Sequence, residues 1–215
     1  MKKFAIFGLG SFGSRLAGIL ADAGAEVIAV DRDPAVIEEI RDRVAMAICM
    51  DVTDEKALVA QGLDRVDVAI IGIGSDFESS LLTTVILKQL GVKSVIARAQ
   101  TFNRGEILRR IGADDLVNPE AESAYRWAHR LLGPNVIEQI PLSDGVSLVR
   151  IPVPEAWQGK SLAELDVRRR HEVSVVAVGH GDSGVFEPPM PHDKLRPGDI
   201  LVVIGADDTI STLPG

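Results

Sequence analysis

Cysteine is almost missing from this chain. Cys49 is the only one, so no disulfide can close within a single copy, and a reducing setting is expected. Aromatic residues make up only 4%. A core of any size must therefore be assembled from Val, Ile, Leu and Ala, the usual composition of a parallel sheet buried on both faces. Positive charge is also short: 23 Lys and Arg stand against 31 Asp and Glu, for a formal net charge of -8. That deficit argues against general nucleic-acid binding, which needs cations to neutralise phosphate, and against docking on an anionic membrane surface. No apolar run approaches the roughly 20 residues needed to span a bilayer. Met1-Lys2-Lys3 is basic, but the apolar stretch from Phe4 to Gly8 is too short for a signal peptide. The remaining picture is a globular chain of 215 residues, 46% hydrophobic and 25% charged, long enough for one ordinary domain and a small second one.

Short apolar runs alternate with amphipathic segments in the first part. Strands are expected at 3–7, 26–31, 45–50, 66–71, 95–98 and 116–118, with helices at 11–23, 34–43, 54–61, 78–90 and 104–111. Pro34 suits a first helical turn, and Gly62, Gly91 and Gly112 stop helices. This regular alternation predicts an α/β Rossmann-like doubly wound parallel sheet, covered by helices on both faces. Pro119 then opens one more helix, carrying Tyr125, Trp127, Ala128, Leu131 and Leu132. These residues occupy too much of the circumference for a single buried stripe. Either a second subunit covers the extra face, or it packs between the chain's own two domains.

The rhythm changes at Gly133-Pro134. Beyond it, strands at 146–151, 173–178 and 200–204 are separated by turns, and six prolines from Pro152 to Pro197 punctuate the segment. The boundary is placed near Gly133–Val136, giving a nucleotide-binding domain over 1–134 and a smaller, mainly β α+β domain over 135–215.

Gly8-Leu9-Gly10-Ser11-Phe12-Gly13 is a G-x-G-x-x-G that follows the first strand and opens the first helix. Asp31 ends the second strand, 18 residues after Gly13. In that context the pattern is a dinucleotide-binding fingerprint. Gly8 permits the tight turn, Gly10 lets the backbone approach a pyrophosphate, and Gly13 allows the helix to pack closely on the strand. Amides at the helix start hold phosphates, and the Asp31 carboxylate accepts from ribose hydroxyls. Asp31 also disfavours a 2′-phosphate, although Arg32 beside it works in the opposite sense. Asp51, Ile73 and Gly74 lie at further strand ends on the same side of the sheet, where ligands sit in such folds. The motif alone leaves NAD, NADH, ATP, ADP and AMP open.

A dehydrogenase needs an acid or base supplied near the cofactor. The four histidines, His129, His171, His180 and His192, all lie outside the strand-end loops of the first part. The only tyrosine, Tyr125, is followed four residues later by His129 rather than by a lysine, and no Cys/His metal cluster occurs. The nucleotide is therefore expected to be read rather than consumed.

Taken in order, FAIFGLGSFG, AEVIAVDRDP, AIIGIGSDFESSLLTTVILKQLGV, VIARAQ and RIGADDLVNPEAE resemble the RCK domains (regulators of potassium conductance) of the KtrA and TrkA type. GKSLAELDVRRRHEVSVVAV and LRPGDILVVIGADDTI are similar to the family's C-terminal domain, so the likeness covers nearly the whole chain. The resemblance implies a cytoplasmic regulatory subunit, peripheral to the inner face of the membrane. It implies dimers assembled into an octameric ring beneath a KtrB- or TrkH-like potassium transporter subunit, which switches with the bound adenine nucleotide. By position it implies nucleotide contacts at Gly8, Gly10, Ser11, Phe12, Gly13, Asp31, Arg32, Asp51, Ile73, Gly74 and Arg98. It also implies a divalent cation, Mg or Ca, at Glu120. The plain alternatives are an ion pair for Arg98 and a favourable first-turn carboxylate for Glu120.

Two departures stand out. Many members carry an arginine within the glycine loop where this chain has Ser11, which weakens any strong preference for ATP and keeps ADP, AMP and NAD(H) in play. In some relatives the C-terminal domain binds cyclic di-AMP. The matching segment holds Leu162, Ala163, Asp166, Arg168 and His171, where Asp166 opposes a phosphate. The competing functions are a small NAD(H)-dependent oxidoreductase and a redox sensor that controls something other than potassium transport.

Overall fold

The computed structural model describes residues 2–132, 136–181 and 185–214. Its contacts divide the chain into two compact units, Met1–Ala121 and Glu122–Gly215. Of the expected boundary at Gly133–Val136, residues 133–135 lie outside the described residues.

The first unit is built as β1 (Lys3–Phe7), α1 (Ser11–Asp22), β2 (Glu26–Asp31), α2 (Pro34–Ile40), β3 (Met46–Cys49), α3 (Glu55–Ala60), β4 (Val68–Ile71), α4 (Phe77–Gln89), β5 (Ser94–Arg98), α5 (Phe102–Arg110) and β6 (Asp115–Val117). Among the described residues its sheet has six parallel strands in the order β3-β2-β1-β4-β5-β6. Alternation along each strand divides the core. Ala5, Phe7, Ile28, Val30, Ala69 and Ile71 face the helices α3, α4 and α5 through Leu58, Leu87 and Leu108. Ile6, Val27, Ala29 and Ile70 face the opposite layer, with Ala17 of α1 and Ile40 of α2. The expected doubly wound sheet is present, with strand ends shifted by one or two residues.

The chain winds outward from β1 through β2 and β3, then returns to place β4 on the other side of β1. This reversal leaves a crevice beyond the carboxyl ends of β1 and β4. Three glycines hold it together. Gly8 turns the chain with φ +89°, a conformation that L side chains rarely adopt. A Cβ on Gly13 would lie well inside contact distance of Gly8 O, and one on Gly72 would lie 2.8 Å from that same oxygen. The Gly72 N–H donates to Phe7 O at 2.7 Å and the Gly8 N–H to Val30 O at 2.8 Å, so β1, β2 and β4 end in register.

Helix α6 (Pro119–Leu132) begins in the first unit and continues beyond it. Asn118 caps it, accepting from the Ala121 N–H at 3.0 Å. Along it, Trp127 is 55% and Leu131 75% exposed on this single chain, and Tyr125 is exposed too.

The second unit holds β7 (Glu138–Ser143), β8 (Val146–Pro152), α7 (Leu162–Leu165), α8 (Val167–Arg170), β9 (Ser174–Gly179), β10 (Phe186–Glu187), β11 (Ile200–Ala206) and α9 (Asp207–Ser211). Its described strands form an antiparallel sheet in the order β10-β9-β11-β8-β7. The core is Val149, Ile151, Trp157, Val178, Leu201 and Val203. β7 and β10 escape sequence reading: β7 is largely exposed and carries Pro141, and β10 is two residues long. Ser161 and Glu164 form a capping box at α7. Asp166, at φ +45°, turns the chain from α7 into α8. Arg168 on α8 is exposed, and His171 lies beside Trp157 with ring centroids 5.2 Å apart.

Gly13→Ala is expected to force α1 away from the β1 turn. Overpacking of this kind costs about 1–3 kcal/mol, so thermal unfolding of the variant should show a clearly lowered Tm.

Candidate nucleotide-binding cleft

A cleft of about 530 Å³ opens at the carboxyl edge of the first sheet. Each strand from β1 to β5 delivers its following residues to it: Gly8 to Gly10 after β1, Asp31 to Asp33 at the end of β2, Met50 and Asp51 after β3, Gly72 to Asp76 after β4, and Arg98 at the end of β5. A volume of this size suits a nucleotide, since ligand pockets run from roughly 300 to 1,000 Å³.

One end of the cleft is made by the backbone of the glycine loop. Gly10 precedes α1 and offers no side chain to cap it, and the first turn of α1 has no acidic residue. By contrast, Asp33, Asp54, Asp76 and Thr101 cap α2, α3, α4 and α5. The amides at the start of α1 are thus left to an external acceptor, and the helix dipole favours an anion there. A Cβ on Gly10 would meet nothing within 4 Å, so this glycine is not required by packing. Gly10 keeps the approach open, while Gly8 and Gly13 hold the turn.

Asp31 anchors the loop as well as facing the cleft. Its Oδ2 accepts from the Leu9 N–H at 2.6 Å, and its Oδ1 from the Asp33 N–H at 3.0 Å. Asp51 accepts from the Thr53 hydroxyl at 2.7 Å and the Thr53 N–H at 2.9 Å, which hold its carboxyl below the usual range. Asp76 is held low in the same way by the Ser79 N–H and then the Ser79 hydroxyl. A carboxylate lowered in the folded state stabilises the fold above its ordinary pKa and loses that contribution as pH falls through the lowered value. Both acids therefore stay ionised through neutral and mildly acid conditions.

Arg98 supplies cationic charge at the end of β5. Its side chain is only 14% exposed and pairs through Nη2 with Glu120. Nη1 donates to Gly72 O at 3.4 Å. Nε is buried with no hydrogen-bond partner among the described residues. The guanidinium lies over Gly74, where a Cβ would come within 2.9 Å of its central carbon. An acceptor reaching this part of the cleft would meet a guanidinium with unspent donors, so the residues present fit a phosphorylated ligand.

The structure thus gathers Gly8, Gly10, Asp31, Arg32, Asp51, Ile73, Gly74 and Arg98 around one cleft. Ser11, Phe12 and Gly13 contribute the first backbone amides of α1, while two of their side chains pack elsewhere. Phe12 packs into the layer beneath α1. Ser11 faces a separate shallow hollow with Ser14, Arg15, Ile19 and Arg43. Glu120 does not line the cleft; its carboxylate is engaged by Arg98, and no group of three potential metal ligands converges among the described residues. Asp76 and Gln100 are among the lining residues that sequence reading did not single out. Asp76 lies 3.9 Å from Arg32 across the cleft, and Gln100 follows β5. The signal for Asp76 was available: D-x-x-S before an apolar run is a helix start, and it falls in a strand-end loop.

Two substitutions separate the roles of these residues. Asp31→Ala should weaken binding of ADP, ATP or NADH by about 1–3 kcal/mol, the value of charge-assisted hydrogen bonds, measured by calorimetry. Gly10→Ala should leave Tm nearly unchanged yet weaken the same ligands, because its methyl group occupies the phosphate approach and touches no protein atom.

Comparison with known proteins agrees with this geometry. A TrkA-N domain matches residues 4–119 and a TrkA-C domain matches residues 146–213. The Ktr system potassium uptake protein C of Bacillus subtilis is 37% identical over 210 residues, covering 98% of this chain and 95% of that protein. The Ktr system potassium uptake protein A of Vibrio alginolyticus is 33% identical with the same coverage. Among solved structures, the GsuK channel bound to NAD superposes with a TM-score of 0.56 at 25% identity, covering 99% of this chain and 38% of that one. With both domain types matched in order and the likeness to Ktr proteins running nearly from end to end, this chain belongs to the TrkA/KtrA-type family of RCK-domain proteins.

Proposed function

We propose that this chain is the cytoplasmic regulatory subunit of a membrane-embedded potassium transporter, and that it switches its partner in response to a bound adenine nucleotide. The observation that carries this reading is the near-full-length likeness to Ktr potassium uptake proteins in a chain whose first sheet carries a cleft of nucleotide size. The ligand class follows from the site: backbone amides and Arg98 for phosphate, Asp31 for ribose. NAD in the GsuK channel is one ligand of this class; ADP, ATP and AMP are the others.

The nucleotide is read, not consumed. The lining side chains are carboxylates, guanidiniums, small hydroxyls, an amide and apolar groups, suited to holding hydroxyls and phosphates. A switch requires only that two ligands bind two states with different affinity. The functional division is taken as 1–134 for nucleotide binding and 135–215 for the second domain. The exposed Tyr125, Trp127 and Leu131 on α6 support assembly with further copies, from a dimer to an octameric ring on the inner face of the membrane.

Two measurements test this reading. Light scattering of the full chain at micromolar concentration should give an oligomer with and without nucleotide; a monomer under both conditions rejects the assembly. Reconstituted with a KtrB-like membrane subunit, the ADP- and ATP-loaded protein should support different potassium fluxes and give different small-angle scattering profiles. Identical flux and shape, or steady NADH turnover with a small carbonyl compound, would reject the switch.

A further inference from the structure

We propose that Asp76 is a positioning residue that decides specificity at the ribose end of the cleft: by drawing Arg32 to the opposite wall, it leaves a 2′-phosphate without a cationic partner, so the cleft takes adenine nucleotides with a free 2′-hydroxyl. The inference rests on the nucleotide-binding reading above and deepens it by naming the class of ligand that the site refuses.

The chemistry starts at the end of β2. In a crevice of this kind the acid that ends the second strand meets the ribose hydroxyls, and an arginine nearby is what accommodates a 2′-phosphate. Arg32 directly follows Asp31 and lines the cleft with it. Its position in the sequence suits that role; the fold gives it another direction. Arg32 Nη1 lies 3.9 Å from Asp76 Oδ2, on the loop between β4 and α4. Asp51, held low first by Thr53, also feels the Arg32 charge. The other lining cation, Arg98, ends β5, three strands from β2, which is roughly 14 Å of sheet.

Of the two partners, Asp76 is the fixed one. It caps the 13-residue helix α4, with Oδ1 accepting from the Ser79 N–H at 3.1 Å and Oδ2 from the Ser79 hydroxyl at 2.8 Å. The helix dipole favours an anion at this place. Arg32 is the mobile partner, with a side chain 78% exposed. A phosphate on the ribose 2′-oxygen therefore faces Asp31, Asp33 and Asp51 as like charges, and gains Arg32 only by taking it from Asp76. A 2′-hydroxyl has neither cost.

The test is calorimetry on the full chain at fixed ionic strength, comparing wild type, Asp76→Asn, Arg32→Ala and the double variant. Asn retains the cap of α4 and removes only the charge. The ligands are ADP and its isomer adenosine 2′,5′-bisphosphate, then NADH and NADPH. Wild type should bind ADP more tightly than the bisphosphate, and NADH more tightly than NADPH. Asp76→Asn should narrow both ratios by about two- to fivefold, the scale of one exposed ion pair. Losing a carboxylate favours every phosphate ligand, and the ratio of the two isomers cancels that general effect. In the Arg32→Ala background, Asp76→Asn should leave the ratios where they stand, which marks the effect as running through Arg32. Equal binding of the two isomers by wild type, unchanged ratios in Asp76→Asn, or the same narrowing without Arg32 overturns the proposal. If wild type binds none of the four ligands, the nucleotide reading falls as well; if it binds ADP and NADH and the ratios do not move, only the role of Asp76 falls.

Discussion

The close approach of three backbone segments, at Gly8, Gly13 and Gly72, is the constraint on which the first unit depends. Side chains cannot stand between them, because Gly8 O lies where a Cβ of Gly13 or Gly72 would have to be. This contact ties the first helix and the end of β4 to the β1 turn, and so fixes the crevice at the point where the sheet reverses its winding. The crevice then receives the ends of five parallel strands, which is why residues as far apart in sequence as Gly8 and Arg98 face the same volume. The binding edge follows from a steric condition on backbone before any polar side chain contributes.

Electrostatics supply the second layer. The chain is acidic overall, and so is the lining of its cleft. The groups in it suited to an anion are the uncapped amides at the start of α1 and the Arg98 guanidinium. The carboxylates also have a structural role, with Asp31 bracing the glycine loop through Leu9 while lining the cleft. Asp51 and Asp76 are engaged by neighbouring Thr53 and Ser79, so they are positioned and kept ionised locally.

Most of the parallel sheet was legible in the sequence, because strands buried on both faces read as continuous runs such as KFAIF and EVIAVD. The second unit was less so. Its central strands β8, β9 and β11 are rich in apolar residues, whereas β7 is an exposed edge strand bearing a proline and β10 spans two residues. The face of α6 was legible as an excess of apolar positions, and Tyr125, Trp127 and Leu131 are exposed on the single chain.

The sequence by itself determined the glycine turn, the acid that ends β2 and the layer architecture, because each depends on residues close together in the chain and on backbone rules with few exceptions. Only the tertiary structure decided what Arg98 touches, that Asp76 stands opposite Arg32, and that the Phe12 side chain packs into the layer beneath α1. Arg98 and Glu120 are 22 residues apart, and Arg32 and Asp76 are 44 apart. Such pairings follow from strand order and helix placement, which no local pattern encodes. A charged side chain has several possible partners until the fold brings one within reach.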